Sequence, residues 1–142
     1  MVPSHISLLA PIFALIFLLS MLLPTVHAAP ISIQPLQKRA SLNDAHTGGR
    51  GTFFFPGLGA CGKTNGDNDM IVAVNQAVFQ QFRDVICDNK SMEVRANGKS
   101  ATVQIVDECP GCGPNDIDLS PAAFKVFADE SVGVLTVDWN IF

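Results

Sequence analysis

Residues 105–124 (IVDECPGCGPNDIDLSPAAF) concentrate the side chains that could do chemistry. Cys109 and Cys112 stand in Cys-x-x-Cys spacing within this segment. The segment also holds four carboxylates: Asp107, Glu108, Asp116 and Asp118. These residue types are compatible with a metal site, a redox dithiol, a pair of catalytic acids or a disulfide-closed turn. The rest of the chain decides among them.

An apolar run near the amino terminus indicates the compartment. Residues 6–23 (ISLLAPIFALIFLLSMLL) are almost wholly apolar, and the PTVHAA that follows offers a small-residue cleavage site. This pattern predicts a secretory signal peptide over residues 1–28 and hence an extracellular protein, although no Lys or Arg precedes the run. A membrane anchor is the alternative, because the run just reaches spanning length. Pro11 and the small residues after the run favour cleavage.

A second processing site follows the signal peptide. Lys38 and Arg39 form a dibasic pair that predicts a propeptide over residues 29–39 and a mature chain beginning at Ala40. All thirteen acidic residues lie in this mature part against seven of the nine basic ones, a net charge of −6. Such a charge argues against nucleic acid or an anionic membrane surface as a partner. Neutral polysaccharides and basic proteins remain compatible with it.

The four cysteines all lie in the mature part: Cys61, Cys87, Cys109 and Cys112. An even count in a short secreted chain predicts two disulfides, with three possible connectivities. A zinc site needs four ligands, and the mature part offers one histidine, His46, so we expect no metal and no cofactor. Redox chemistry of the thioredoxin type needs the motif at a helix start. Gly113 and Pro114 follow instead and favour a turn.

Hydrophobic periodicity predicts five or six strands and two short helices, typical of an all-β barrel. The polar residues 40–50 predict a flexible lead-in, and residues 58–68 a glycine-rich loop. Asn75 and Ser120-Pro121 are typical helix starts, and Asn97-Gly98 is a hairpin turn. The predicted strands cover residues 51–55, 70–74, 91–96, 100–106 and 132–142, and the helices residues 76–82 and 122–128. The predicted core includes Val94, Ala101, Val103, Ile105, Phe124 and Phe127.

Several short motifs occur in the order typical of one family. They are Gly51-Thr-Phe-Phe, Gly59-Ala-Cys-Gly, Val106-Asp, Asp118-Leu-Ser-Pro-Ala-Ala-Phe and Val137-x-Trp. With these motifs, residues 51–142 resemble the RlpA-like double-psi β-barrel family, which is related to barwin and the expansins, and in particular its small secreted fungal single-domain members. The resemblance implies an all-β, six-stranded double-psi barrel with two short helices, stapled by disulfides. It also implies the pairs Cys61–Cys87 and Cys109–Cys112.

The resemblance further implies a polysaccharide groove across one face of the barrel. Its positions match Thr52, Asp107 and Asp118, with Asp118 the candidate acid and Asp107 orienting it. The catalytic base of related glycosidases has no counterpart, because residues 51–66 hold no Asp or Glu. Inverting hydrolysis needs two carboxylates about 6.5–9.5 Å apart. A lytic transglycosylase of this family needs one acid–base residue, which keeps an enzymatic alternative open.

The aromatic residues weaken the case for a sugar platform. The chain has no Tyr, so stacking on sugar rings would fall to one of Phe53, Phe54, Phe55 or Trp139. A small barrel needs large side chains for its core, and we expect most of these rings there, with one Phe outward because neighbouring strand residues alternate faces. Asp107 and Asp118 have a structural alternative as well, since carboxylates also cap loops and helix starts.

Three functions are therefore expected. The first is a monomeric, non-hydrolytic module of expansin or loosenin type that binds cell-wall polysaccharide such as cellulose, chitin or peptidoglycan. The second is a module that binds a secreted protein, such as a cysteine-protease inhibitor, and the third is a weak glycan-cleaving enzyme. Asn89-Lys-Ser forms a candidate glycosylation site on the predicted surface.

Overall fold

The structure is a computed structural model that describes residues 41–142. The predicted signal peptide, propeptide and dibasic site lie outside the described residues. In chain order the elements are β1 (His46–Phe53), β2 (Ile71–Asn75), α1 (Gln76–Ile86), β3 (Ser91–Ala96), β4 (Lys99–Cys109), β5 (Ile117–Leu119), α2 (Pro121–Phe127), a 3₁₀ turn (Glu130–Val132) and β6 (Leu135–Ile141).

The six strands close into a barrel in the order β1-β5-β2-β4-β3-β6. The pairs β1–β5 and β2–β4 are parallel, whereas β1–β6, β2–β5, β3–β4 and β3–β6 are antiparallel. The predicted six-stranded barrel with two helices is confirmed. Closure leaves none of these six strands as an unpaired edge.

The barrel interior is built by alternation along the strands. In β3, Met92, Val94 and Ala96 are buried while the residues between them are partly exposed. Trp139 and Phe124 are among the largest fully buried side chains, and both helices add apolar residues to the same core. Of the predicted core residues, Ala101 packs at the margin and the others are buried.

Both predicted helix starts are confirmed. The Asn75 side chain accepts a hydrogen bond from the Val78 N–H at 3.0 Å. Ser120 Oγ accepts one from the Ala123 N–H at 3.3 Å, and Pro121 occupies the first turn of α2. Each cap satisfies a backbone donor that has no partner within its own helix.

The two disulfides join Cys61 to Cys87 and Cys109 to Cys112, which confirms the expected pairing. The first closes a span of 26 residues and ties the loop before β2 to the end of α1. The second closes a turn directly after β4. The Cys-x-x-Cys motif is therefore a staple in this structure.

The predicted flexible lead-in over residues 40–50 is wrong for its second half, because β1 begins at His46 and pairs with β6. The expected apolar alternation is missing because glycines take the close-packed positions of β1. A Cβ on Gly49 would stand 1.8 Å from the Asn115 carbonyl oxygen, and one on Gly51 would stand 2.7 Å from a Val137 methyl carbon. Here the strand is specified by close backbone approach rather than by side-chain pattern.

His46, expected in a loose tail, is held in place. Its ring stacks on Trp139 with centroids 3.6 Å apart, and its Nδ1 lies 3.0 Å from Asn115 Oδ1.

Several predicted element boundaries also differ from the structure. The strand predicted from residue 132 starts at Leu135, after the 3₁₀ turn. The three-residue strand β5 was not predicted. Within residues 41–142 no helix is both long and apolar enough to cross a membrane.

Candidate functional site

Three of the four strands that form one side of the barrel carry a predicted site residue. In register, Thr52 of β1 pairs with Asp118 of β5, Asp118 pairs with Ala73 of β2, and Ala73 pairs with Asp107 of β4. Residues in register on neighbouring strands share a face of the sheet. Ala73 lies between two core valines and is only 3% exposed, so the row is not one continuous open groove.

Thr52 and Asp118 meet in a pocket of about 230 Å³. The Thr52 hydroxyl donates a hydrogen bond of 2.8 Å to Asp118 Oδ1. The other lining residues are Arg50, Cys109, Gly111, Cys112 and Asp116. Parallel pairing of β1 with β5 brings the two side chains together although 66 residues separate them in the chain.

Asp118 is half-buried, and burial raises the pKa of its carboxyl above the ordinary value. The hydrogen bond from Thr52 opposes this rise because it stabilises the charged form. Among the residues that the structure describes, hydrogen bonds reach Oδ1 and leave Oδ2 available to a ligand. The group can therefore accept a hydrogen bond from a hydroxyl or, when protonated, donate one.

Asp116 also lines the pocket, although the family resemblance assigned it no place in the groove. Its Oδ1 accepts the Arg50 N–H at 2.8 Å, and its Oδ2 accepts the Gly113 N–H at 3.1 Å. Its position two residues before Asp118, just ahead of β5, was the available signal, because alternate residues of an extended segment lie on the same face. With both oxygens engaged by backbone donors, Asp116 holds the Cys-x-x-Cys loop against β1.

Asp107 is not among the residues that line this pocket. Its Oδ1 accepts the N–H groups of Ala60 and Glu108, both at 2.8 Å. The expectation that Asp107 orients Asp118 has no support in these contacts. A register shift between β2 and β4 falls next to Asp107, and the carboxylate is directed to the loop that carries Cys61.

The Cys109–Cys112 disulfide forms part of the pocket wall. The segment that follows Cys112 is held separately: Asn75 Nδ2 donates to the Pro114 carbonyl at 2.9 Å, and Trp139 Nε1 donates to the Asn115 carbonyl at 2.7 Å. The wall beside Asp118 is thus positioned by contacts to β2 and β6 as well as by the staple.

The four aromatic candidates for sugar stacking differ in how much of each side chain is exposed. Trp139 is fully buried and is not available to a ligand. Phe53 and Phe54 are both half-buried, and Phe53 packs on Phe124 with ring centroids 5.2 Å apart. Phe55 is 71% exposed and is the one largely outward Phe of the three.

Asn89 lies on the surface, as the sequence indicated. Its Oδ1 accepts hydrogen bonds from Lys63 Nζ at 2.6 Å and from Gln104 Nε2 at 3.1 Å. Glycosylation of its amide nitrogen stays a prediction. Among residues 41–142, no group of three or more His, Cys, Asp or Glu side chains is placed to hold a metal ion.

Comparison with known proteins decides the family. The double-psi β-barrel family described as lytic transglycolase matches residues 46–139. The chain belongs to this double-psi β-barrel family. The match begins at His46, where β1 begins in the structure, and ends within β6, so it reaches all six strands.

Two relatives of this double-psi barrel align with much of the chain. The papain inhibitor of Streptomyces mobaraensis is 35% identical over 89 residues, 59% of this chain and 62% of the relative. A putative ripening-related protein 2 of Oryza sativa subsp. japonica is 27% identical over 133 residues, 82% of this chain and 66% of the relative. The chain thus spans somewhat less than two thirds of these two relatives.

Two solved structures share the fold. The Streptomyces papain inhibitor superposes with a TM-score of 0.62 at 33% identity, covering 69% of this chain and 94% of its own. A variant of a Clavibacter michiganensis expansin in complex with cellohexaose superposes with a TM-score of 0.59 at 22% identity, covering 70% and 50%. At that identity the expansin shows the fold alone.

Proposed function

We propose that this protein is a secreted, expansin-like module that binds cell-wall polysaccharide through the Thr52–Asp118 pocket without robust hydrolysis. The observation that carries the proposal is the 2.8 Å hydrogen bond between Thr52 and a half-buried Asp118 in an open pocket. A carboxylate fixed in this way accepts hydrogen bonds from sugar hydroxyls at low entropic cost.

The surroundings of the pocket fit a neutral polar ligand. The exposed Arg50 lines it beside Asp116, whose oxygens are already engaged by backbone donors. Among the residues that line the pocket there is no aromatic ring, so its contacts with a sugar would be polar.

Hydrolysis needs a second carboxylate that is free to activate water. Asp116 accepts two backbone N–H groups, and Asp107 is engaged outside the pocket. We therefore assign no catalytic base, and Asp118 stands as a lone acid. A transglycosylase, which needs a single acid–base group, is the enzymatic alternative. Its anhydro product carries no new reducing end, so clearing of a peptidoglycan suspension, and not reducing sugar, would detect it.

A pull-down against cellulose, chitin and peptidoglycan, read beside a reducing-sugar assay, tests the proposal. We expect the protein to bind one of these polymers, and Asp118→Ala to weaken binding by about 10- to 150-fold, the value of one charged hydrogen bond. Asp84→Ala, on the exposed face of α1, is the matched control and should bind as the wild type does. Equal binding by wild type and Asp118→Ala would contradict the assignment of the pocket.

A second function is favoured by a separate observation. Phe55 and Leu58 are 71% and 74% exposed on a loop outside the pocket, and a relative of 35% identity is named a papain inhibitor. We infer as the alternative that the protein binds and inhibits a secreted cysteine protease of the papain type. An assay of papain activity in the presence of the protein tests it directly.

A further inference from the structure

A short, wholly apolar segment follows β1 at residues 54–58 (FFPGL), and we call it the apolar loop. Phe55 and Leu58 are the two most exposed large hydrophobic side chains in the part of the chain that the structure describes. Residues 51–62 carry no charged side chain, although the chain as a whole is acidic. Exposed apolar side chains grouped on one short segment are typical of a surface that contacts another protein.

The apolar loop is held at both ends by backbone hydrogen bonds. The Phe54 N–H donates to the Leu119 carbonyl at 2.9 Å, and the Asn65 N–H donates to the Gly57 carbonyl at 3.0 Å. Leu58 forms a β-bridge with Thr64. At its tip, Phe55 rests edge-on against Phe53, with ring centroids 6.0 Å apart.

The segment that follows anchors the loop to the barrel. The Ala60 N–H donates to Asp107 Oδ1 at 2.8 Å, and the Cys61 N–H donates to the Val106 carbonyl at 3.1 Å. The disulfide from Cys61 to Cys87 adds a covalent tie to α1. The loop is therefore largely ordered before it binds a partner. It loses little further conformational entropy on binding, which favours tight association.

The chemistry of the apolar loop separates a protein partner from a sugar. Residues 53–60 (FFFPGLGA) have no side chain that donates or accepts a hydrogen bond. A ring here could stack on a sugar, but the stretch offers no side-chain partner for the hydroxyls of a polysaccharide. A narrow, uncharged loop with two protruding apolar side chains instead complements an apolar cleft in a protein.

We propose that the apolar loop is the surface by which this protein enters the substrate cleft of a papain-type cysteine protease, with Phe55 and Leu58 as its anchors. This inference rests on the second of the two functions proposed above. Because the loop is tied to β5 on one side and to residues 64 and 65 on the other, it would stay in place even if the protease cut it. The Thr52–Asp118 pocket takes no part.

Inhibition of papain acting on a small peptide substrate tests the proposal. We expect Phe55→Ser and Leu58→Ser each to weaken inhibition by about tenfold or more, as for anchor residues of other interfaces. Phe142→Ser is the matched control, since this carboxy-terminal ring is 55% exposed and lies outside the loop. Asp84→Ala, on the exposed face of α1, is a second control and should inhibit as the wild type does. Melting temperatures of all variants establish that each is folded.

The outcomes are distinct. Inhibition by the wild type that survives in Phe55→Ser and Leu58→Ser overturns the proposed surface while the inhibitor function stands. A wild type that does not inhibit papain overturns the inhibitor function and the surface with it. A third outcome is a folded Phe55→Ser variant that still inhibits papain but loses affinity for cellulose, chitin or peptidoglycan. Phe55 would then be a ring that binds sugar, and this also overturns the proposal.

Discussion

At the scale of single residues, Thr52, Asp118 and Asp107 share one row of the sheet and have different surroundings. The first two form a hydrogen-bonded pair in a pocket, and the third holds a loop. Strand register sets the row of the sheet in which a residue lies. The hydrogen bonds that a carboxylate accepts depend on the nearest unpaired donors. Around Asp107 these donors are backbone N–H groups, which a carboxylate binds strongly.

Replacing Asp118 by Asn should make stability less sensitive to pH. Burial raises the pKa of Asp118 in the folded protein, so its contribution to stability is fully present below the unfolded value of about 3.9 and is lost as pH rises through the folded pKa. Relative to the wild type, Asp118→Asn should therefore gain melting temperature from about pH 4 upward. Thermal melts of both proteins between about pH 3 and 7 measure this. If the melting temperature of Asp118→Asn falls relative to that of the wild type as pH rises, the description of Asp118 as a buried carboxyl is wrong.

Asp107→Ala should act on stability and leave binding alone. Two backbone N–H groups, those of Ala60 and Glu108, lose a charged acceptor, which costs about 1–3 kcal/mol of unfolding free energy. Urea denaturation measures the loss, and titration with the bound polysaccharide measures the affinity of the folded variant. If Asp107→Ala loses affinity for the polysaccharide at unchanged stability, Asp107 is a ligand-binding residue and this prediction is wrong.

At the scale of elements, short strands are held by their neighbours and by cross-links. β5 has three residues and carries Asp118, with β1 on one side and β2 on the other. α2 follows directly, and its cap Ser120 is buried and donates to the Asp69 carbonyl at 2.5 Å. This continuity from strand to cap fixes the position of Asp118 more firmly than the three residues of β5 would alone.

The two disulfides should contribute unequally. Closing the 26-residue span from Cys61 to Cys87 is worth about 3.5 kcal/mol by chain entropy, and the short turn from Cys109 to Cys112 about 2 kcal/mol. The Cys61→Ala/Cys87→Ala double variant should therefore lose more stability in urea denaturation than Cys109→Ala/Cys112→Ala. The reverse order would show that strain or residual structure in the unfolded chain outweighs loop length.

At the scale of the whole molecule, the barrel brings together a polar pocket and an uncharged apolar loop. Both use β1, since Thr52 lies near its end and residues 54–58 follow it. The same strand thus supports both proposed functions, glycan binding and protease inhibition. Separate variants in the pocket and the loop can distinguish them in one protein.

We expect the protein to release no reducing sugar from β-1,4-glucan above background, because no free base accompanies Asp118 in the pocket. The measurement is a reducing-sugar assay at several pH values, with Asp118→Asn as the control. Robust release by the wild type that disappears in the control would establish an enzyme and would show that the reading of Asp116 and Asp107 is wrong.

Local signals in the sequence determined much of the fold. Asn97 and Gly98, both at positive φ, make the turn between β3 and β4. Asn75 and Ser120 start the helices, and alternation in β3 marks the core. Each of these depends on neighbours within a few residues, so sterics and hydrogen bonding to the adjacent backbone are sufficient.

Tertiary structure alone decided the rest. The start of β1 depends on glycines that fit against Asn115 and Val137, residues far along the chain, and β5 is too short to show a pattern. The resemblance implied that Thr52, Asp107 and Asp118 share a groove. The hydrogen bond from Thr52 to Asp118 and the one from the Ala60 N–H to Asp107 were not expected. Such contacts are set by parallel register across closed strands, which no local stretch of sequence encodes.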